Sequence, residues 1–288
     1  LFCTKDSFDG LVDFPCLFKL DVDIVFFHYR KDIRDCLWTV QGLNTFMNKD
    51  QRLLEEAYQS IYESVVEPLY VGPLERKQEL LDWLDGISHK VNQDGSISTR
   101  GSVFMSRMDL NRIPFVFKSV GGDFYCSYNE LASLRGAPET VRGDFHCETN
   151  QLESLEGAPR KVGAICDCRD NKIKSLEGAP RTVGGSFRCA MNLLTDLKGS
   201  PEIVGGGFEC SENSLTSLEG SPEIINQSFF CYKNKLTTLK GSPKTVVEDF
   251  SCFKNPLTSL KGAPETIEGR FMSDKFADQD YRNFAQNR

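Results

Sequence analysis

Hydrophobic positions in the second half of this chain return at a fixed step of 21 residues, separated by polar ones. From Val120 to about Arg270 seven copies run without insertion under one template, V-x-G-x-F-x-C-x-x-N-x-L-x-S-L-x-G-A/S-P-x-x. Asn recurs at Asn129, Asn150, Asn171, Asn192, Asn213, Asn234 and Asn255, and Pro keeps the same step from Pro138 to Pro264 with a Gly two residues before each. A period of this length predicts a solenoid, because one short unit cannot bury its apolar face alone and must stack on its neighbours. Phe and Cys two apart share one face of a short strand. The Asn turns the chain and satisfies backbone groups in the bend, and the two leucines re-enter the core. Gly supplies permissive backbone and Pro an extended path on the convex side. Each coil is expected to return one strand to a parallel sheet.

The ends of the array read as caps. Val103, Met105, Leu110 and Ile113 stand 21 residues before Phe124, Cys126, Leu131 and Leu134, so residues 93–119 form a degenerate coil lacking the Gly-x-Pro step. Phe271 continues the Phe column, and residues 271–288 then turn polar with Phe276, Tyr281 and Phe284 at helical spacing, a short closing helix. Residues 1–92 form a different unit, a small α+β domain. Phe18, Leu20, Val22 and Ile24 alternate with Lys19, Asp21 and Asp23 as a half-buried strand. Asp50 caps a helix carrying Leu53, Leu54, Ala57, Tyr58, Ile61, Tyr62, Val65 and Val66, stopped before Pro68. Gly72-Pro73 opens a second helix with Leu80, Leu81, Trp83, Leu84 and Ile87 on its apolar side. About 90 residues suffice for a small core, and packing onto the first coil is an equal alternative.

The spacing of Phe124, Cys126, Asn129, Leu131 and Leu134 resembles the L-x-L-x-x-N-x-L segment of leucine-rich repeats, especially the short bacterial type. The wording of Ser154-Leu155-Glu156-Gly157-Ala158-Pro159 and of Val120-Gly121-Gly122-Asp123-Phe124-Tyr125-Cys126 is similar to repeat proteins encoded by large tailed bacteriophages. With the lead-in from Asp94 to Pro114 the resemblance covers roughly 175 of 288 residues, and it departs from the standard repeat in placing Phe and Cys where two core leucines belong. It implies a leucine-rich-repeat-like solenoid with a short-stranded parallel β-sheet on its concave side, a phage-encoded protein, and a place in the cytoplasm of an infected bacterium or in the virion. Bacterial effectors with similar repeats carry a ubiquitin ligase domain after the array. Here 18 residues follow Arg270, too few to hold it.

A formal net charge of −7 gives no electrostatic footprint for nucleic acid. No apolar run approaches a membrane span, and residues 1–20 lack the pattern of a secretory signal. The chain begins at Leu1 rather than Met, which leaves an unusual start, processing and truncation open. Seven of the eleven cysteines, Cys126, Cys147, Cys168, Cys189, Cys210, Cys231 and Cys252, occupy one inward slot, where a free thiol packs as a small hydrophobe. Reduced, buried thiols suit a reducing cytosol. Cys166-Asp167-Cys168 has the look of a metal half-site, but both thiols should face the dry core, and no metal or other cofactor is expected. Cys166 also removes a large side chain from the Phe column, so Phe145 and Phe187 must lean in or leave the coil underpacked.

The chain has no phosphate-binding Gly loop, paired-histidine zinc helix or Gly-x-Ser-x-Gly elbow. Asp21 and Asp23 read as the solvated face of a strand. His28, His89 and His146 are scattered, and Cys3, Cys16 and Cys36 carry no motif, so no catalytic residue is assigned.

What repetition leaves free is the strand position facing the concave side. One column reads Tyr125, His146, Asp167, Arg188, Glu209, Phe230, Ser251, and the next Ser127, Glu148, Arg169, Ala190, Ser211, Tyr232, Phe253. The middle coils carry mixed charge, expected to pair across adjacent strands. Phe230, Tyr232 and Phe253 have the composition of an interaction hot spot, unless the C-terminal tail folds back over them. The expectation is a non-catalytic protein-binding module using Tyr125, His146, Arg169, Arg188, Phe230, Tyr232 and Phe253 toward a host or phage protein. The alternatives are a structural component of a virion and an enzyme in residues 1–92.

Overall fold

The computed structural model describes residues 70–287 together with the backbone of Phe2–Cys3, Pro15–Lys19 and Ile24–His28. The chain divides into two compact units, Leu1–Ser64 and Val65–Arg288. In the first, the three strands form an antiparallel sheet in which Lys19 pairs with Ile24 and Phe18 with Val25. The single strand expected through Phe18 and Ile24 is therefore two. Asp21 and Asp23, expected on the polar face of that strand, lie outside the described residues. The helix expected over residues 51–66 lies outside the described residues.

The second unit is a repeat solenoid. Its Phe-x positions pair in register as a nine-stranded parallel sheet from Val103–Phe104 to Phe271–Met272. The degenerate coil supplies the first of these strands, with Val103, Met105, Leu110 and Ile113 all buried. One strand per coil proves too few. The residues ahead of each Phe, such as Thr140–Val141 and Thr182–Val183, form a second short strand. These strands build a seven-stranded and a three-stranded sheet, interrupted between Ile203–Val204 and Ile224–Ile225. The last residue of each, a Val or Ile, is buried, so every coil closes its core from two sides. The seven-stranded sheet ends in an antiparallel hairpin, His89–Val91 with Ile97–Thr99.

Two devices bend each coil. The residue before each Asn, from Tyr128 to Lys254, lies in the left-handed region with φ between 53° and 56°. For Thr149 and other side-chain-bearing residues this conformation costs about 1 kcal/mol or more. The Asn side chain offsets it. Asn192 Nδ2 donates to Cys189 O and Ala190 O of its own coil and to Cys168 O of the coil before, at 3.1–3.2 Å, while Oδ1 accepts from Ile173 N at 3.0 Å. The Asn is thus a clamp between coils as well as a turn residue. The second device is the Gly of the Gly-x-Pro step, with φ from 82° to 98°. A Cβ on Gly241 would strike the backbone of Leu218 and Glu219, so both conformation and proximity require glycine there.

The Phe column stacks ring on ring. Phe208, Phe229, Phe250 and Phe271 follow one another at 5.3–5.9 Å with planes 6–15° apart. Cys166 interrupts it, and on one side of the gap Phe187 tilts 45° from Phe208, a departure from the parallel stacking farther along. The eight cysteines of the coils are free and buried, and burial pushes their thiols up, to about 12 at Cys252.

Both ends of the core are covered. After a short 3-10 turn, helix α1 (Lys77–Asp85) buries Leu80, Leu81 and Leu84, and Trp83 stacks on Phe115 at 6.2 Å. This helix falls within the Val65–Arg288 unit, where Trp83 meets Phe115, in keeping with the alternative that it packs onto the first coil. At the other end helix α2 (Asp278–Gln286) lays Tyr281 on Phe271 at 5.1 Å. Asp278 accepts the Phe271 N–H at 2.7 Å, satisfying a donor at the sheet edge. Among the described residues no helix is long and apolar enough to cross a membrane.

Candidate protein-binding face

Because Phe and Cys point inward, the residue between them and the one after Cys point to the outer face of the nine-stranded sheet. The in-register pairing sets Tyr125, His146, Asp167, Arg188, Glu209, Phe230 and Ser251 in one row. Three zones succeed one another along it.

The first is aromatic. Phe104 stacks on Tyr125 at 5.1 Å, and Tyr125 on His146 at 4.7 Å, with planes 9° and 11° apart. Phe104 keeps 62% of its surface exposed. Sequence reasoning marked Val103 and Met105 as core and passed over the Phe between them. Its position 21 residues before Tyr125 was the available signal.

The second zone is charged. Asp167 is only 1% exposed, and the Arg169 guanidinium holds it, with Nε 2.9 and 3.1 Å from the two carboxylate oxygens and Nη2 2.7 Å from one. Arg188 Nη1 stands 3.7 Å from the same carboxylate, and Arg169 Nη1 lies 3.9 Å from Glu209. Hydrogen bonding to Asp167 pushes the Arg169 pKa up, against partial burial. His146 Nδ1 lies 3.2 Å from Glu148 and Nε2 lies 3.8 Å from Asp144. The hydrogen bond to Glu148 raises the His146 pKa; burial opposes it, and the surrounding carboxylates add to it. The expected pairing of the mid-sheet charges is present, but its strongest contact runs along one strand, from Arg169 to Asp167.

The third zone is again aromatic. Phe230 and Tyr232 are half-buried and Phe253 is 39% exposed. Small buried side chains, Ser251 and Ser211, stand beside them, and Ser211 Oγ has no hydrogen-bond partner. The tail engages the end of the core, where Tyr281 OH donates to Pro264 O and Arg282 donates to Ile267 O and Gly269 O. Phe253 stays exposed with the tail in that position.

All seven residues expected to bind a partner, Tyr125, His146, Arg169, Arg188, Phe230, Tyr232 and Phe253, lie on coils of this one sheet. They divide between its zones, with Tyr125 and His146 in the first ring stack and Phe230, Tyr232 and Phe253 beyond Glu209. His146, Glu148 and Asp167 also bring potential metal-ligating atoms within 4.8 Å of one another. Reading each histidine singly along the chain hid that grouping, which appears once adjacent columns are aligned.

Fold and face together define a parallel β-solenoid presenting a non-repeating outer sheet surface. No protein-family model matches the chain, and no curated protein matches it significantly.

Proposed function

We propose that this protein is a non-catalytic binding module that engages a protein partner through the outer face of its nine-stranded sheet. The observation that carries the reading is the exposed aromatic surface of Phe253 beside Phe230 and Tyr232 on a sheet whose inward positions hardly vary. Grouped aromatics on a surface are the composition of interaction hot spots, and a mixed-charge centre supplies register and selectivity. The likeness of the repeats to those of tailed phages supports a phage-encoded protein acting on a host or phage protein in the cytoplasm of an infected bacterium. Affinity capture from infected cells and from purified virions, with the intact chain beside a Phe230→Ser, Tyr232→Ser, Phe253→Ser variant, tests this. A protein retained by the intact chain and lost from the variant supports the module. Recovery in stoichiometric amounts with virion proteins, indifferent to the variant, replaces it with a structural role in the particle.

A further inference from the structure

The charged centre of the sheet has the makings of a cation site, one of whose carboxylates its own guanidinium holds. Glu148 follows two residues after His146, just past the strand Phe145–His146, and Asp167 is the in-register neighbour of His146 on the next strand. One imidazole and two carboxylates therefore converge, with ligating atoms all within 4.8 Å of one another. Neighbouring ligands of a first-row ion bound at about 2.0–2.2 Å are separated by about 3.0–3.5 Å, and His146 Nδ1 lies 3.2 Å from Glu148 Oε2. Because the strands carrying His146 and Asp167 are paired on both sides, register sets the directions of those two ligands.

We propose that His146, Glu148 and Asp167 form a binding site for one first-row divalent cation such as zinc. The donor set supports this class, since an imidazole with two carboxylates suits zinc, manganese or cobalt, whereas calcium requires more oxygens. Charge supports it as well. The carboxylates of Asp144, Glu148, Asp167 and Glu209 surround the guanidiniums of Arg169 and Arg188, leaving two negative charges when His146 is neutral. With Nδ1 turned to the ion, Nε2 is on the side of Asp144, whose carboxylate lies 3.8 Å away.

Arg169 is the competitor. A carboxylate as buried as Asp167 requires a counter-charge, and Arg169 supplies it in the ion's absence. Its Nη1 already lies 3.9 Å from Glu209 and its side chain is 32% exposed, so the guanidinium has a second carboxylate to move to when a cation takes its place. Three protein ligands on an outer face leave coordination positions for water or for a donor from another protein.

Calorimetric titration of the full, reduced chain with zinc chloride, and its absorption spectrum with cobalt(II), test the site. The expected result is one ion per chain, with visible cobalt bands and no thiolate charge-transfer band. His146→Ala should weaken binding by about tenfold or more, whereas His89→Ala should leave it unchanged. Arg169→Gln should tighten binding by about tenfold, and its melting temperature should rise on adding metal. Absence of stoichiometric binding in both the intact chain and Arg169→Gln overturns the proposal, as does binding that survives His146→Ala or shows the thiolate band.

Discussion

On its buried side the nine-stranded sheet repeats one chemistry, with Phe then Cys in coil after coil. On its outer side the row from Phe104 to Ser251 never places the same residue on neighbouring coils. The backbone is nearly identical on both sides, so the contrast comes from what each side chain meets. Inward, a side chain meets its own copy one rung away and must satisfy packing at close to crystalline density. Outward, it meets solvent and neighbours of other kinds, and the fold tolerates a ring stack, an ion network around one buried carboxylate and an aromatic cluster in succession. Stability is thus concentrated in the repeating columns, and the non-repeating one is free for recognition.

Putting a charge into the repeating side should do the most damage. Phe208 lies between Phe187 and Phe229, each 5.4 Å away, so Phe208→Asp should cost about 4 kcal/mol or more and abolish cooperative melting by circular dichroism. Melting like the parent would mean that the column is not the core. Next comes the clamp. Asn192→Ala leaves Ile173 N without its acceptor and removes one of the two Asn donors from each of Cys168 O and Cys189 O, and should lower stability by about 2–3 kcal/mol in denaturant unfolding. Probing the thiols separates the two sides without mutation. The eight buried cysteines of the coils should react with a thiol reagent at pH 8 only when denaturant is added, as their raised pKa values and burial dictate.

Sequence alone revealed the repeat, its inward columns, both end caps and the outer surface, because a strict period exposes what each position must do. Three features escaped it. The second strand of each coil is two residues long, too short for any alternation to show, although its Val recurs at the same period. The left-handed turn position holds Tyr, Thr, Asp, Met, Glu or Lys, so composition gives no sign of it, and only the Asn beside it betrays the bend. The grouping of His146, Glu148 and Asp167 depends on two coils standing side by side, a relation invisible to motif spacing within one coil.

The smallest expected effect sharpens the account of the charged zone. Its bond to Glu148 raises the folded-state pKa of His146 above the ordinary value of 6.5. The stability this contributes is fully present below about pH 6.5 and is lost as pH rises through the raised value. The parent's Tm should therefore fall slightly relative to His146→Gln between acidic and alkaline buffer. Parallel pH profiles would remove His146 from the ion network.

The most direct test of the division between the two faces is to measure melting and partner affinity together on the Phe230→Ser, Tyr232→Ser, Phe253→Ser chain, using the protein captured by the parent. The predicted result is a Tm close to the parent's with affinity lower by about tenfold or more, as loss of a hot spot requires. Undiminished affinity, or a Tm collapse like that of Phe208→Asp, would contradict the claim that the repeating side holds the fold and the outer side binds.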